Sequence, residues 1–316
     1  MKSEKYVAVV GGLNLDIAGL SGPIYHEYNS NIGKISTNTG GVGHNIALNL
    51  VNLEVPTYLV TVYGDDYFGE ILQAECNETD VRLDYAQEVK GESSSTYLYV
   101  TDNHGDMVTA INDMDIVKLI NPDFLAERLE FLNGAELLVV DGNLTQEAIE
   151  WLGANIEIPI FVDPVSVTKA DRFITELDKI DTIKPNEYEI ELYTGVKVTD
   201  LETAEIAADK LLDKGVRNVF ISLGKKGILG ANKNNKHLIE PIPDIDIKST
   251  NGAGDTTMAT LAWARYYYGE ALPIEEVCQF SQAAASISLE SCEACAPQLN
   301  VTDVIKRAIK NYGGNE

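Results

Sequence analysis

The feature that most constrains this chain is a series of short, uninterrupted apolar runs, each stopped by polar or turn-forming residues. Tyr6 to Val10 closes in Gly11-Gly12, Glu136 to Val140 in Asp141-Gly142-Asn143, and Pro159 to Val162 in Asp163-Pro164. Thr182-Ile183 closes in Lys184-Pro185-Asn186, and Asn218 to Ser222 runs out at Gly224. A strand that is apolar on both faces is covered on both faces. Between the runs, Pro122 to Leu132, Thr145 to Ala154, Leu201 to Lys214, Gly252 to Tyr268 and Pro273 to Leu289 repeat apolar residues at helical spacing. The alternation predicts an α/β fold with a central, mostly parallel sheet flanked by helices. Ligands of such sheets gather beyond the carboxyl ends of the strands, where the polar residues stand.

Two segments break the rhythm. Leu15 to Thr39 is rich in Gly, Ser, Asn and Tyr; Ser93 to Ile111 alternates, turns at Asp102-Asn103-His104-Gly105 and returns. The second is a hairpin signal. Together the segments, about 15–39 and 93–112, predict a small β-sheet outside the main one: a lid, or a plain surface hairpin. No repeat or linker divides the chain, so residues 1–316 are expected to form one domain.

The chain holds 24 Lys and Arg against 49 Asp and Glu, a formal charge of −25. Such a surface repels nucleic acid, so none is expected as a partner. It also serves solubility. An anionic substrate must then be held by local amides or a local cation. No stretch is apolar enough to span a bilayer, and Met1 to Lys5 leads into the first strand without the apolar core of a signal peptide. A cytoplasmic protein without a membrane partner is the expectation. The four cysteines are too few for a disulfide framework. Cys292 and Cys295 form a lone C-x-x-C with no further zinc ligands close in sequence.

Asn251-Gly252-Ala253-Gly254-Asp255 feeds a helix of small and apolar residues. Amides and helix dipole there converge on one spot and favour an anion. Asp255 beside it can take a proton from an attacking hydroxyl, or can merely cap the helix. Near the N-terminus, Gly40-Gly41-Val42-Gly43-His44-Asn45 precedes a helical stretch from Ile46 to Leu53. Asn45 offers a donor and an acceptor to a polyol. Asn14 and Asp16, two apart after the first strand, face the same way and can grip neighbouring hydroxyls, or simply close the strand. No Walker A loop and no G-x-G-x-x-G after a strand occurs.

In order and spacing, Gly40 to Ala47, Asn186-Glu187-Tyr188-Glu189 and Asn251 to Asp255 resemble the signatures of the ribokinase-like carbohydrate kinases, the phosphofructokinase B family, over about residues 5–312. The resemblance implies an ATP-dependent phosphotransferase with Asp255 as base and Gly252, Ala253 and Gly254 as anion hole. It implies ATP at Asn186, Ser222, Gly224 and Gly254, and Mg²⁺ near Asn186 and Glu189 through water. Asn14, Asp16, Gly41 and Asn45 match substrate positions, under a lid. Many members also use a monovalent cation such as K⁺ beside the anion hole, where the loop Cys292 to Pro297 would lie. An exposed lid edge could pair two copies as a homodimer.

Within the family, Gly40-Gly41-Val42-Gly43, Ser94-Ser95-Thr96-Tyr97, Ala110-Ile111-Asn112-Asp113-Met114 and Phe161 to Ser166 look like the branch that phosphorylates the 5′-hydroxyl of pseudouridine. Ser94, Thr96, Asn112 and Asp113 are then candidates to read the base, or members of a hairpin only. His44 departs from that branch, where a basic residue, often Arg, is expected. Kinases for ribose, adenosine or fructose, and a catalytically silent nucleotide-binding regulator, are the alternatives.

Overall fold

The computed structural model describes residues 5–313; the stretch Met1 to Glu4, read above as free of a signal, and residues 314–316 lie outside them. The strands are β1 (Val7–Val10), β2 (Asn14–Ser21), β3 (Gly33–Gly40), β4 (Thr57–Val60), β5 (Val62–Gly64), β6 (Gln87–Val89) and β7 (Thr96–Thr101). They continue as β8 (Met107–Asp113), β9 (Leu137–Asp141), β10 (Ile160–Asp163), β11 (Thr182–Ile183), β12 (Asn218–Ser222), β13 (Ile228–Asn232) and β14 (Lys236–Ile239). The main sheet has the order β14-β13-β12-β11-β10-β9-β1-β4. From β4 to β12 its pairs are parallel; β13 and β14 add an antiparallel edge.

The five apolar runs are β1, β9, β10, β11 and β12. Their fully apolar character follows from two cores, one on each face. Val7 and Val9 of β1, with Leu137 and Val139 of β9, pack against the helices Val42–Asn52 and Ala253–Tyr268. Ala8 and Val10, with Leu138 and Val140, pack on the opposite face against Ala148, Ile149 and Leu152 of the helix Gln146–Asn155. Each fully buried aliphatic side chain there is worth roughly 1.5–3 kcal/mol over exposure.

The two irregular segments form one sheet, β3-β2-β7-β8. Its hairpin turn is the expected one: Asp102 Oδ1 accepts from the amides of His104 at 2.8 Å and Asp106 at 3.0 Å. Every residue of β8 is exposed.

Two local expectations are corrected. The helix assigned from Ile46 begins at Val42, because Gly41 takes φ 100° and turns the chain into it four residues earlier. The stretch Pro122 to Leu132 is two short helices, Pro122–Ala126 and Leu129–Asn133. Arg128 lies between them, its guanidinium donating to the carbonyls of Phe124 and Tyr85 at 2.7 Å. The strand β4 and the hairpin β13–β14, not marked in the sequence reading, complete the two edges of the main sheet. Among the described residues no helix is long and apolar enough to cross a membrane.

Candidate active site

The strand ends deliver the site. Asp141 ends β9 fully buried, and its Oδ2 accepts from the amides of Gly12 and Gly43, each at 2.8 Å. Its Oδ1 accepts from the amide of Asn143 at 2.8 Å. One carboxylate thus joins the turn after β1 to the start of the helix Val42–Asn52. Burial still pushes its pKa up. Gly41 and Gly43 lie so close to Gly12 and Gly11 that a Cβ on either would strike backbone, which is the physical use of the double glycine.

Beyond Gly12 the chain enters β2. Asn14 donates from Nδ2 to Asp16 Oδ1 at 2.6 Å, so the two side chains do share a face. Burial raises the Asp16 carboxyl, with the Asn14 bond opposing. Asp16 lies against Gly40, whose missing side chain makes room for it.

On the other side, two residues past Gly43, Asn45 donates from Nδ2 to Asp255 Oδ2 at 2.8 Å. Asp255 is half-buried in the first turn of the helix Ala253–Tyr268. Gly252 caps that helix at φ 77°, without a side-chain cap. The first bond of the helix runs from the amide of Thr256 to the carbonyl of Gly252 at 2.8 Å. The amides of Ala253, Gly254 and Asp255 therefore have no partner within the helix and are free to meet an anion. Burial and the nearby Asp163 carboxylate push Asp255 up to about 7; Asn45 and Lys184 pull the other way and Asp141 adds to the rise. A carboxyl with that pKa exchanges its proton near neutral pH, the range that general acid–base chemistry needs.

The structure adds Lys184 to the residues singled out in the sequence. It follows β11, is buried, and its Nζ lies 3.2 Å from Asp163 Oδ2. It also lies 3.5 Å from where a Cβ on Gly254 would be. A buried ammonium thus stands beside the free amides. Burial alone would lower its pKa, but Asp163, Glu189 and Asp255 hold it above the usual lysine value. Asp163 also accepts the amide of Val165 at 3.0 Å, and Val165 sits at φ 70°. A β-branched residue in that region is strained, the kind of backbone found at functional sites.

Asn186 and Glu189 form a capping box for the helix Glu187–Thr194: Asn186 Oδ1 accepts from the amides of Tyr188 and Glu189 at 2.9 Å, and Glu189 Oε2 from the amide of Asn186 at 2.8 Å. This fixes the motif beside Lys184 and Asp163. Asn186 also bridges Ser222, placing the end of β12 against it. Gly224 follows at φ 55° with open space where a side chain would go. Among the described residues no three His, Cys, Asp or Glu side chains cluster as a metal cage. The acidic pair Asp163 and Glu189 around Lys184 fits an ion held through water and phosphate rather than by direct ligands.

The lid residues divide. Asn112 and Asp113 lie exposed on the return strand, paired in register with Tyr97 and Thr96. They border a cleft of about 460 Å³ that also takes in Asn143, Lys169 and Arg172. Lys169 Nζ donates to Asn143 Oδ1 at 2.5 Å, and Asn143 Nδ2 reaches to 3.2 Å of the Gly12 Cβ position. The cleft is thereby joined to the turn that leads to Asn14 and Asp16. Thr96 Oγ1 donates to the Ser94 carbonyl at 3.2 Å. Ser94 is spent elsewhere: buried, it donates from Oγ to Asp66 Oδ1 at 2.6 Å and accepts the Gly64 amide at 2.9 Å. Its hydroxyl braces the helix Tyr67–Glu78 and does not face the cleft through a free group.

His44, at the position where a basic residue was expected, is buried, with the Asn45 side chain as its polar neighbour. Burial lowers its pKa to about 4. It brings no charge to the site at neutral pH.

Residues 4–300 match the model of the pfkB family carbohydrate kinases. The chain is 34% identical over 309 residues to the pseudouridine kinase of Escherichia coli strain K12, covering 96% of this chain and 97% of that one. It is 32% identical to an uncharacterized sugar kinase, YeiI, of the same organism, covering 96% and 84%. The ribokinase of Thermotoga maritima superimposes with a TM-score of 0.84 at 22% identity, covering 98% of this chain and 100% of that one.

Proposed function

This chain belongs to the pfkB family of carbohydrate kinases and is an ATP-dependent phosphotransferase, and we propose that its acceptor is the 5′-hydroxyl of pseudouridine. The observation that carries the chemistry is the Asn45–Asp255 bond at the mouth of the uncapped helix. Asp255 takes the hydroxyl proton as the 5′-oxygen attacks the γ-phosphorus. The bond from that phosphorus to the β,γ-bridging oxygen breaks, ADP leaves, and pseudouridine 5′-phosphate forms. The amides of Ala253, Gly254 and Asp255, with Lys184 at their side, stabilise charge on the phosphoryl in flight. Asn14 and Asp16 hold the ribose near Gly41, and ATP lies along Asn186, Ser222 and Gly224. Mg²⁺, held through water near Asn186 and Glu189, would neutralise the phosphates when bound.

The base reading rests on the cleft beside β8. Pseudouridine carries a free N1–H that uridine lacks. Asp113 and the carbonyl of Asn112 are acceptors at that cleft, and Lys169 and Asn143 are donors for the uracil carbonyls. A site that hydrogen-bonds one group discriminates strongly against an analogue without it, by ~10⁴ in favourable cases. The relative of similar identity described as a sugar kinase makes a free sugar the second reading. A panel of pseudouridine, uridine, ribose, adenosine and fructose with ATP separates the two. We expect kcat/KM for pseudouridine to exceed that for every other acceptor by at least about 100-fold; ribose ahead of pseudouridine would end the claim. Running the panel in potassium and then in a large organic cation reads the monovalent-ion expectation, and an unchanged rate removes it.

We further propose that the lid pairs with the lid of a second copy. Ile35 of β3 and Met107, Val108 and Ile111 of β8 are exposed apolar residues on the two edge strands, where unpaired backbone groups invite strand pairing. Sedimentation at micromolar concentration should give a dimer, and Ile111→Glu with Ile35→Glu a monomer. A wild-type monomer across that range would refute the pairing.

A further inference from the structure

Cys295, the second cysteine of the C-x-x-C, packs against Asn45, the partner of Asp255. Cys295 Sγ lies 3.6 Å from Asn45 Oδ1 and 3.5 Å from the Asn45 carbonyl oxygen. Asn49 Nδ2 lies 3.6 Å from the same sulfur and donates to the Asn45 carbonyl at 2.9 Å. The thiol reaches both oxygens, but the Asn45 carbonyl already receives Asn49 Nδ2 and, inside the helix, the Asn49 backbone amide, so Asn45 Oδ1 is the acceptor with a lone pair to spare. The other end of the Asn45 amide donates to Asp255 Oδ2 at 2.8 Å.

An asparagine amide has one end that donates and one that accepts, and its neighbours decide which way it points. With a thiol donor at one end and a carboxylate at the other, only one orientation satisfies both. Reversing the amide would aim its oxygen at Asp255 and its donors at a sulfur that accepts weakly. We propose that Cys295 is a positioning residue for phosphoryl transfer: its S–H locks the Asn45 amide so that the N–H₂ faces Asp255. Cys295 touches neither substrate nor the reacting atoms and acts through Asn45. Burial and the carboxylates of Asp255, Glu75 and Glu293 keep the thiol protonated, as a donor requires. Cys292, exposed three residues earlier, takes no part.

The inference rests on the reading of Asp255 as base, and its test separates the two. Cys295→Ala, Cys295→Ser and Cys292→Ser are compared with the wild type in steady-state kinetics with ATP and pseudouridine. The Asn45 side-chain amide pair is followed in ¹H–¹⁵N spectra, assigned by its loss in Asn45→Ser. Loosening the Asn45–Asp255 bond in Cys295→Ala should cut kcat about tenfold with both KM values within about twofold. Its amide pair should move toward free-amide positions. Cys295→Ser keeps a donor and should restore kcat to within about threefold of wild type with the amide pair in place; Cys292→Ser should match wild type. Ala and Ser variants alike in rate and spectrum would overturn the assignment, as would a loss of kcat accompanied by an equal rise in KM. If the wild type failed to turn over pseudouridine, the substrate reading would fall, while the amide spectra would still decide the role of Cys295.

Discussion

Asp255→Asn should lower kcat by about 10³-fold, within the range that general acid–base catalysis supplies, with ATP binding retained. The substituted amide has the same shape and can still accept from Asn45 Nδ2, which now meets Asp255 Oδ2 at 2.8 Å, but it cannot take a proton. In the wild type the rate should climb through pH 6 and level above about pH 7, because the pKa is pushed up to about 7 and only the ionised form serves as base. The same shift has a stability consequence whose sign is fixed. The unfolded carboxyl ionises near pH 4, whereas the folded one keeps its proton up to about pH 7. Between those values the folded state binds more protons, so stability falls as pH rises through this window. Asp255→Asn removes that penalty and should melt higher than wild type at pH 8, with a smaller difference at pH 4. Differential scanning calorimetry at the two pH values checks the sign, and stopped-time assays check the rate. A variant that keeps most of its kcat would remove Asp255 from the role of base.

Gly252→Ala should be nearly as damaging, by a different route. Gly252 is at φ 77°, and a methyl group there would run into the backbone carbonyl of Ala294. Left-handed backbone at a non-glycine residue costs about 1–3 kcal/mol. Carbonyl and turn must also separate, which tilts the amides of Ala253, Gly254 and Asp255 away from the phosphoryl group. Losing one such donor is worth about 10²–10³ in rate, so a fall in kcat of at least about 100-fold is expected, together with a lower melting temperature. Gly254→Ala is the comparison: Gly254 has no positive φ, and its nearest neighbour is the flexible end of Lys184 at 3.5 Å. It should be much milder. Equal effects at the two positions would contradict the account of the turn.

What could be read from the sequence follows the physics of burial. β1, β9, β10, β11 and β12 were legible because both of their faces are covered and polar residues are excluded along their length. The hairpin β13–β14 was not, because Gly230 and Ala231 dilute the apolar signal at a sheet edge. The helix start at Val42 was hidden by Gly43, His44 and Asn45, poor helix formers held there by Asp141 and by the His44 amide donating to the Gly12 carbonyl at 3.0 Å. In the site, Asp255, Asn45 and the glycines stand in local motifs and could be found from them. Lys184 and Asp163 could be placed at strand ends but not paired, since their ion pair depends on β10 and β11 lying side by side. Ser94 looked like a free hydroxyl beside the lid; only the packing shows it committed to Asp66. The relation of Cys295 to Asn45, 250 positions away in the chain, leaves no trace in local pattern.

The Asp141 side chain also has a mechanical meaning. Its Oδ2 is a common anchor for the amides of Gly12 and Gly43. Gly12 leads within four residues to the side chains proposed to clasp the sugar, and Gly43 within two to the amide that orients the base. Both arms are measured from one atom. The sugar clasp and the amide that holds Asp255 therefore share a single point of reference at the end of β9.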